Sequence, residues 1–172
     1  MNEITKEKEI NDLEISNKHF DKLVKICLII GILIVSGFII YYLLTPEPGY
    51  ITFGILNENK EAENYPTEAS INETISFYLT VENHLDRDLN FGFKIKKGNN
   101  VTISSSSGSN GTLYLTLGNF TLNPNESHIY GKYDISFSET GENQIIIAEL
   151  WTINNGIEVF FNVLFIRLNI TY

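Results

Sequence analysis

The sequence predicts one transmembrane α-helix followed by an all-β domain, an immunoglobulin-like β-sandwich of about seven to nine strands. Three observations lead to this fold class. An uncharged apolar run of 19 residues extends from Ile26 to Leu44. Beyond residue 50 the apolar pattern changes from a helical period to a period of two, which is typical of half-buried strands. These alternating segments are short, and turn sequences separate them at intervals of about eight to twelve residues.

The apolar run has lysines on one side only. A helix of this length spans roughly 28 Å, close to the thickness of the hydrocarbon core of a bilayer. Lys18, Lys22 and Lys25 precede the run, and the next basic residue is Lys60. Because basic residues are retained on the cytoplasmic side, we expect a cytoplasmic N-terminus and an extracytoplasmic C-terminal part in a single-pass cell-membrane protein.

This interpretation divides the chain into a charged cytoplasmic tail (1–22), a transmembrane helix (23–45), a linker (46–49) and an extracytoplasmic β-sandwich (50–172). The tail is either a short exposed helix or a disordered segment. A cleaved signal peptide and a buried helix of a soluble protein are the other readings of the run. The run is longer than the usual signal-peptide core and lacks a clear small-residue cleavage site before Thr45–Gly49, which favours an uncleaved signal anchor.

Charge and cysteine content narrow the class of protein further. The predicted outer domain contains 7 basic and 14 acidic residues, so nucleic acid and anionic lipid headgroups are disfavoured as partners. The bilayer itself and other membrane or envelope proteins are the expected partners. Cys27, the sole cysteine, lies inside the apolar run. The outer domain therefore has no disulfide and depends on a hydrophobic core for its stability.

Two neighbouring segments carry the clearest strand pattern. Ile75–Val81 and Leu89–Lys96 alternate apolar and polar residues, and Asn83–Asp88 between them is predicted to form a turn. Gln144–Thr152 is apolar on both faces and is predicted to be central, whereas Ser104–Gly111 is predicted to be an exposed loop. The other predicted strands are Tyr50–Leu56, Val101–Ser104, Thr112–Leu117, Ile129–Phe137 and Ile157–Tyr172, the last as one long or two short strands. The predicted inward-facing residues are Phe77, Leu79, Phe91, Phe93, Ile147 and Trp151.

Six Asn-x-Ser/Thr acceptor sites for N-linked glycans follow the apolar run, and most of them fall in or beside predicted turns. Such turns let a glycan leave the protein surface, so N-linked glycans are expected. The alternative is that this number reflects a sequence rich in Asn, Ser and Thr. The acceptor residues are Asn72, Asn100, Asn110, Asn119, Asn125 and Asn169.

The sequence offers little support for catalysis. The outer segment has two histidines, no cysteine, no phosphate-binding loop and no spacing typical of a metal or nucleophile site, so we expect no cofactor, no metal and no enzymatic activity. Tyr65-Pro66 and Asn83-His84 stand out as turn residues on either side of a strand. We predict that Tyr65, Pro66, Asn83 and His84 form a structural or partner-contacting patch, the alternative being that they only shape loops.

Ala62–Thr67 followed by an alternating strand that ends at Val81–His84 resembles a pattern in a known family. The family is catalogued as domain of unknown function 1616 and consists of uncharacterised, mostly archaeal, predicted membrane proteins with a β-rich ectodomain. Gly141 and Ile145–Leu150 match a later glycine-centred turn and apolar strand in the same pattern. The resemblance implies an archaeal cell-envelope setting and supplies no reaction.

Taken together, these features predict a non-catalytic, membrane-anchored protein whose outer β-sandwich is an accessory or binding subunit of a cell-envelope complex for glycosylation, secretion or surface assembly. The alternative is a pilin-like, filament or adhesin subunit, since such proteins also combine an apolar N-terminal helix with an outer β-domain. Pro46 and Pro48 weigh against that alternative because they end the helix at the membrane edge.

Overall fold

The described part of the chain begins with one long helix. The computed structural model describes residues 3–45 and 49–172, and α1 covers Glu3–Leu44. This helix is longer than the predicted 23–45 segment because the charged residues before it include good helix formers and no Pro or Gly. Within α1, Phe20–Leu44 is long and apolar enough to cross a membrane, judged by length and composition. Of the predicted linker 46–49, only Gly49 belongs to the described residues.

The chain forms two compact units that divide between Glu47 and Pro48. We call the second one the β unit, and its described residues form ten strands. Ile157–Thr171 is one long strand and not two short ones, the two alternatives that were predicted for this segment. The strands are β1 (Ile51–Leu56), β2 (Glu68–Ser70), β3 (Ile75–Asn83), β4 (Leu89–Gly98), β5 (Ser104–Ser105), β6 (Gly108–Ser109), β7 (Thr112–Leu122), β8 (Ser127–Ile135), β9 (Gly141–Asn154) and β10 (Ile157–Thr171).

Eight of these strands form two sheets packed face to face. One sheet has the order β1-β3-β8 and the other the order β2-β10-β9-β4-β7, while β5 and β6 form a separate small hairpin. Neighbouring strands are antiparallel except for β2, which runs parallel to β10. The chain crosses between the sheets five times: from β1 to β2, from β2 to β3, from β3 to β4, from β7 to β8 and from β8 to β9. This arrangement is an immunoglobulin-like β-sandwich, and the predicted fold class is confirmed.

The core between the sheets is built from the predicted alternating strands. Phe77, Leu79, Phe91 and Phe93 are all buried in it, as predicted. The aromatic rings of Phe91 and Phe93 lie 5.4 Å apart, edge to face. All members of the core cluster lie between Phe53 and Ile170. A fragment comprising residues 49–172 therefore retains the whole core and is expected to fold by itself.

The prediction that Ile147 and Trp151 point into this core is wrong. Along β9, Ile146, Ala148 and Leu150 face the core, so Ile147 and Trp151 point to the opposite face of the sheet. Ile147 is nevertheless fully buried, whereas Trp151 is partly exposed. A strand that is apolar on both faces gives no signal for which face is internal.

The segment that follows β4 covers this outer face. A Cβ atom at Gly111 would lie 2.6 Å from Cδ1 of Ile147, so the chain passes directly over that side chain. The predicted strand Val101–Ser104 is wrong, because pairing begins only at Ser104. The prediction of an exposed loop over Ser104–Gly111 is also wrong in part, since Gly108 and Ser109 are buried. We call residues 99–111 the covering loop.

Candidate functional site

The end of the sandwich at which β1 begins carries a cleft of about 660 Å³. We call this the proximal end, where β1, β4 and β10 begin and β3, β7 and β9 end. Apolar side chains of Ile51, Leu85, Leu89 and Phe161 line the cleft together with polar side chains. A cleft that combines apolar side chains with polar groups is a common form of binding site. The polar lining residues are Arg87, Asp88, Asn90, Thr152, Asn154 and Asn155.

Exposed apolar residues continue from this cleft along β10. Phe161 is 42% exposed, and Val159 and Ile157 on the same arm of the β9–β10 hairpin are 47% and 66% exposed. Phe161 occupies a register shift between β10 and β9, so it is displaced from the regular ladder. Exposed apolar patches of this kind on soluble domains commonly mark interaction surfaces. The cleft and these residues form the candidate binding surface.

Asn83, a member of the predicted patch, ties the proximal turns together. Its side chain is fully buried, and Nδ2 lies 2.9–3.1 Å from the carbonyl oxygens of Arg87, Leu122 and Asn123. Its Oδ1 accepts a hydrogen bond from the Leu85 backbone N–H at 3.0 Å. Asn83 therefore joins the β3–β4 turn to the β7–β8 turn, and its place is structural.

His84, the next residue, remains partly exposed at the proximal end. Its ring stacks on Tyr50 with centroids 4.4 Å apart, and Nε2 lies 3.1 Å from a carboxylate oxygen of Glu82. The backbone N–H of His84 also donates to the Tyr50 carbonyl oxygen. These contacts hold His84 beside Leu85 of the cleft, although His84 does not line the cleft itself.

Tyr65 and Pro66 lie at the other end of β1 and do not join Asn83 and His84 in one patch. The Tyr65 hydroxyl donates to the Ile55 carbonyl oxygen at 2.7 Å, whereas Ile51 pairs with Asn83. The intervening length of β1 is roughly 13 Å. Burial raises the pKa of the Tyr65 phenol, which keeps its hydroxyl protonated and able to donate. Pro66 lines a smaller cavity of about 290 Å³ next to β2.

The glycan acceptor residues are distributed unevenly over the β unit. Asn72 and Asn100 are exposed in turns at the end opposite the proximal end, and Asn169 lies partly buried near the same end of β10. Asn110 is exposed in the covering loop, next to Ser109 on the outer face of the larger sheet. Asn119 and Asn125 are exposed on β7 and in the turn after it. β10 carries no acceptor site between Ile157 and Leu168. The exposed arm of β10 therefore carries no acceptor site, whereas Asn125 lies in the β7–β8 turn at the proximal end, where its N–H donates to the Asn83 carbonyl oxygen.

Several of these asparagines also have a conformational role. Asn72, Asn119 and Asn125 adopt φ angles of 61°, 62° and 59°. Asn tolerates this left-handed conformation better than most residues do. The abundance of Asn therefore has a backbone explanation at three of the acceptor sites, whether or not they are modified.

A buried carboxylate fastens the covering loop to the outer face of the larger sheet. Oε1 of Glu149 accepts hydrogen bonds from the Ser109 N–H at 2.6 Å, the Ser109 hydroxyl at 2.7 Å and the Lys96 ammonium at 2.9 Å. Oε2 accepts a hydrogen bond from Trp151 Nε1 at 2.9 Å. At Gly108, with φ of +101°, a Cβ would lie 3.1 Å from the Trp151 ring. We call Glu149, Lys96, Ser109 and Trp151 the Glu149 cluster.

Glu149 is 0% exposed, yet its donors keep it ionised. Burial acts to raise the pKa of this carboxyl, but the hydrogen bonds from Ser109, Lys96 and Trp151 together hold the pKa below its ordinary value. No pattern in the sequence predicted this cluster. The available signal was a single carboxylate within the apolar stretch Ile145–Trp151, because a charge on a buried strand requires a partner on a neighbouring element.

The second lysine on this face lies outside the cluster. Lys94 Nζ is 2.6 Å from a carboxylate oxygen of Glu158 and 3.8 Å from the Trp151 ring centroid. The described residues contain no group of three or more His, Cys, Asp or Glu side chains placed to hold a metal ion. Lys94 and Lys96 are thus each paired with a carboxylate on the outer face.

No model of a known protein family matches the chain, and no curated protein matches it significantly. Solved structures of similar fold include the CARDB domain of a Pyrococcus furiosus protein in complex with di-metal ions. It is 16% identical over 74% of this chain and 93% of that chain, with a TM-score of 0.47. Spo0M, a sporulation control protein from Bacillus subtilis, is 12% identical over 72% of this chain and 50% of that chain, with a TM-score of 0.46. A β-glucosidase from Listeria innocua is 13% identical over 72% of this chain and 16% of that chain, with a TM-score of 0.42.

Proposed function

We propose that this protein is a non-catalytic, membrane-anchored accessory subunit whose β unit binds another cell-envelope protein. The observation that carries the proposal is the cleft of mixed apolar and polar lining at the proximal end, which continues into exposed apolar residues of β10. When a partner covers such exposed apolar side chains, they are removed from water, which lowers the free energy of the complex. The apolar segment Phe20–Leu44 fits a membrane anchor for this unit. The resemblance to domain of unknown function 1616 stays a prediction, and it agrees with an envelope setting.

A folded scaffold around the cleft supports a binding role. Asn83 joins the turns next to the cleft, and Leu89 and Ile51 belong to strands that are paired along their length. A preformed surface loses little conformational entropy when a partner binds, which favours affinity. None of the residues that line the cleft, and none of the exposed apolar residues of β10, is a glycan acceptor.

Replacement of Phe161 with Ser should remove the partner without unfolding the β unit. Phe161 is exposed and lines the cleft, so the polar side chain removes apolar contact area while the core stays intact. Wild type and variant would be extracted from native membranes in mild detergent, and the co-purifying proteins would be compared. We expect at least one protein to be recovered with wild type and to be reduced tenfold or more with the variant.

The matched control is Val101→Ser, because Val101 is 71% exposed but lies in the covering loop. This variant should recover the partner as wild type does, and the melting temperatures of all three proteins should agree. Equal recovery with Phe161→Ser, or equal loss with Val101→Ser, would contradict the proposed surface.

We further expect the β unit to lie outside the cell, with the tail in the cytoplasm, since Lys18, Lys22 and Lys25 flank the apolar run on its N-terminal side. Epitope tags at the two ends would be followed while protease is added to intact, wall-stripped cells. The C-terminal tag should be released and the N-terminal tag should be protected until the membrane is permeabilised. The opposite pattern would reverse the orientation. An N-terminus processed near Lys25 would instead favour the filament subunit.

A further inference from the structure

The β unit contains two Asn-Gly sequences, Asn110-Gly111 and Asn155-Gly156. In such a sequence the backbone nitrogen of the glycine can attack the side-chain amide carbon of the asparagine, because glycine has no Cβ to obstruct the approach. Both asparagines are exposed, so exposure does not distinguish them. Their hydrogen bonds and their surroundings do.

Asn155 and Gly156 form the tip of the β9–β10 hairpin. Asn154 at the end of β9 pairs with Ile157 at the start of β10, so only two residues lie beyond the ladder. Their φ angles of 52° and 77° are those that two-residue hairpin loops require. Among the described residues, no hydrogen bond involves the Asn155 side chain or the Gly156 N–H. A Cβ at Gly156 would meet no atom within 4 Å, so the tip is open to solvent.

The hairpin tip has to open before the reaction can occur. The backbone nitrogen that follows a residue in the left-handed conformation points away from the side chain of that residue. Local opening costs little free energy where few apolar contacts and few hydrogen bonds are lost. Because Asn155 and Gly156 lie beyond the last ladder pair, opening the tip leaves the core and the ladder in place.

Asn110, in contrast, is held on both sides by the covering loop. Its Oδ1 accepts a hydrogen bond from the Ile103 N–H at 2.9 Å, and its N–H donates to the Ile103 carbonyl oxygen at 3.1 Å. Ser109 before it donates two hydrogen bonds to the buried Glu149. A Cβ on the glycine after it would lie 2.6 Å from Cδ1 of Ile147, so that backbone packs on a buried side chain. Opening at Asn110 therefore breaks several contacts at once.

We propose that Asn155 is a site of spontaneous deamidation in the folded protein, and that the covering loop protects Asn110 from the same reaction. The Gly156 nitrogen bonds to Cγ of Asn155 and gives up its proton, while the Cγ–Nδ2 bond breaks and the side-chain nitrogen leaves as ammonia. Water then opens the cyclic imide. Attack at one carbonyl gives aspartate, and attack at the other gives isoaspartate, in which the main chain runs through Cγ. Water is the only co-reactant.

The reaction changes the candidate binding surface. Asn155 lines the cleft at the proximal end, as does Asp88. Aspartate at position 155 adds a negative charge to this cleft, and isoaspartate adds one carbon to the main chain of the turn as well. The inference goes beyond the proposed function, because the reaction needs no partner.

The test compares the two asparagines within one protein. The full chain in mild detergent would be kept in a mildly alkaline buffer, where the attacking nitrogen loses its proton more readily, and a second sample would be kept in urea. Both would be digested under acidic conditions and analysed by peptide mass spectrometry. In the folded protein we expect at least ten times more conversion at Asn155 than at Asn110. In urea the two sites should react at similar rates.

Glu149→Gln tests the protection of Asn110 directly. This variant weakens the contacts that hold Ser109, so the covering loop should open more often. We expect conversion at Asn110 to rise several-fold, while conversion at Asn155 in the same molecule stays unchanged and reports that the hairpin is still folded.

Equal conversion of the two sites in the folded protein would overturn the inference, and so would the absence of conversion at Asn155. A difference of the same size in urea would overturn the role of the fold, because neighbouring residues would then set the rates. Unchanged conversion at Asn110 in Glu149→Gln would overturn the protection by the covering loop. None of these results would touch the proposed binding function, whose test depends on Phe161.

Discussion

Replacement of Glu149 with Gln should lower the free energy of unfolding of the fragment 49–172 by about 3–5 kcal/mol, the range for breaking a buried ion pair. All the groups that contact Glu149 are donors: the ammonium of Lys96, the N–H and hydroxyl of Ser109, and the indole N–H of Trp151. An amide replaces one acceptor oxygen with an NH₂ group, which would face one of these donors. It also leaves the charge of Lys96, whose side chain is 13% exposed, without its counter-ion.

Glu158→Gln is the matched control for this variant. It breaks the other ion pair on the same face, between Lys94 and Glu158, whose side chains are 23% and 50% exposed. Solvent-exposed pairs of this kind contribute about 0–1 kcal/mol. Equilibrium unfolding in urea would measure both variants, with unchanged m values as the sign that the folded state is comparable. If the two variants lose equal amounts of unfolding free energy, the buried Glu149 cluster contributes no more to stability than the exposed Lys94–Glu158 pair.

The same cluster predicts a dependence of stability on pH. The pKa of Glu149 is lowered in the folded state, so the folded state binds fewer protons than the unfolded state in the acid range. The stabilisation by Glu149 is therefore complete above the unfolded pKa, about 4.3, and is lost as the pH falls from there through the lower folded pKa. The difference in melting temperature between wild type and Glu149→Gln should shrink over this acid range. A difference that grows on acidification would contradict this assignment.

The parts of the fold that were predicted correctly have strong local patterns. The alternation in Ile75–Asn83 and Leu89–Lys96 reflects one face against the core and one face toward solvent, and burial follows it except at Gly92, which is buried as well. The apolar run of α1 was also predicted correctly, because it is a pattern of consecutive residues. β2 could not be found in this way, because three residues, Glu68–Ser70, carry no periodicity and become a strand only by pairing with the end of β10.

The prediction for the covering loop was wrong for the same physical reason, because a long-range contact orders this segment. Its serine-rich sequence has the composition of a flexible loop, and what orders it is a carboxylate 40 positions later in the chain. Glu149 in turn lies in a strand whose residues from Ile145 to Leu150 are all buried, so alternation could not separate its two faces. Trp151 lies on the same face as Glu149, to which its indole N–H donates, so its orientation could not be predicted either.

Replacement of Phe91 with Ala should also cost about 3–5 kcal/mol, the range for removing a buried phenylalanine. Phe91 is 0% exposed, and its ring lies 5.4 Å from Phe93, 5.7 Å from Phe120 and 5.6 Å from Tyr130. Because Phe91 and Phe93 belong to one sheet and Tyr130 to the other, these rings join the two layers of the sandwich. Truncation leaves a cavity that the surrounding strands cannot fill without breaking their ladders.

The control is Tyr172→Ala. Because Tyr172 is 98% exposed, this substitution should change the free energy of unfolding by no more than about 0.5 kcal/mol. Urea unfolding of the fragment 49–172 would measure both variants, in the absence and in the presence of reductant. Reductant should leave the free energy of unfolding of both variants unchanged, because the fragment has no cysteine. A loss below about 1 kcal/mol for Phe91→Ala would show that the two sheets are not held together by this aromatic cluster, and the packing of β4 against β8 would then be wrong.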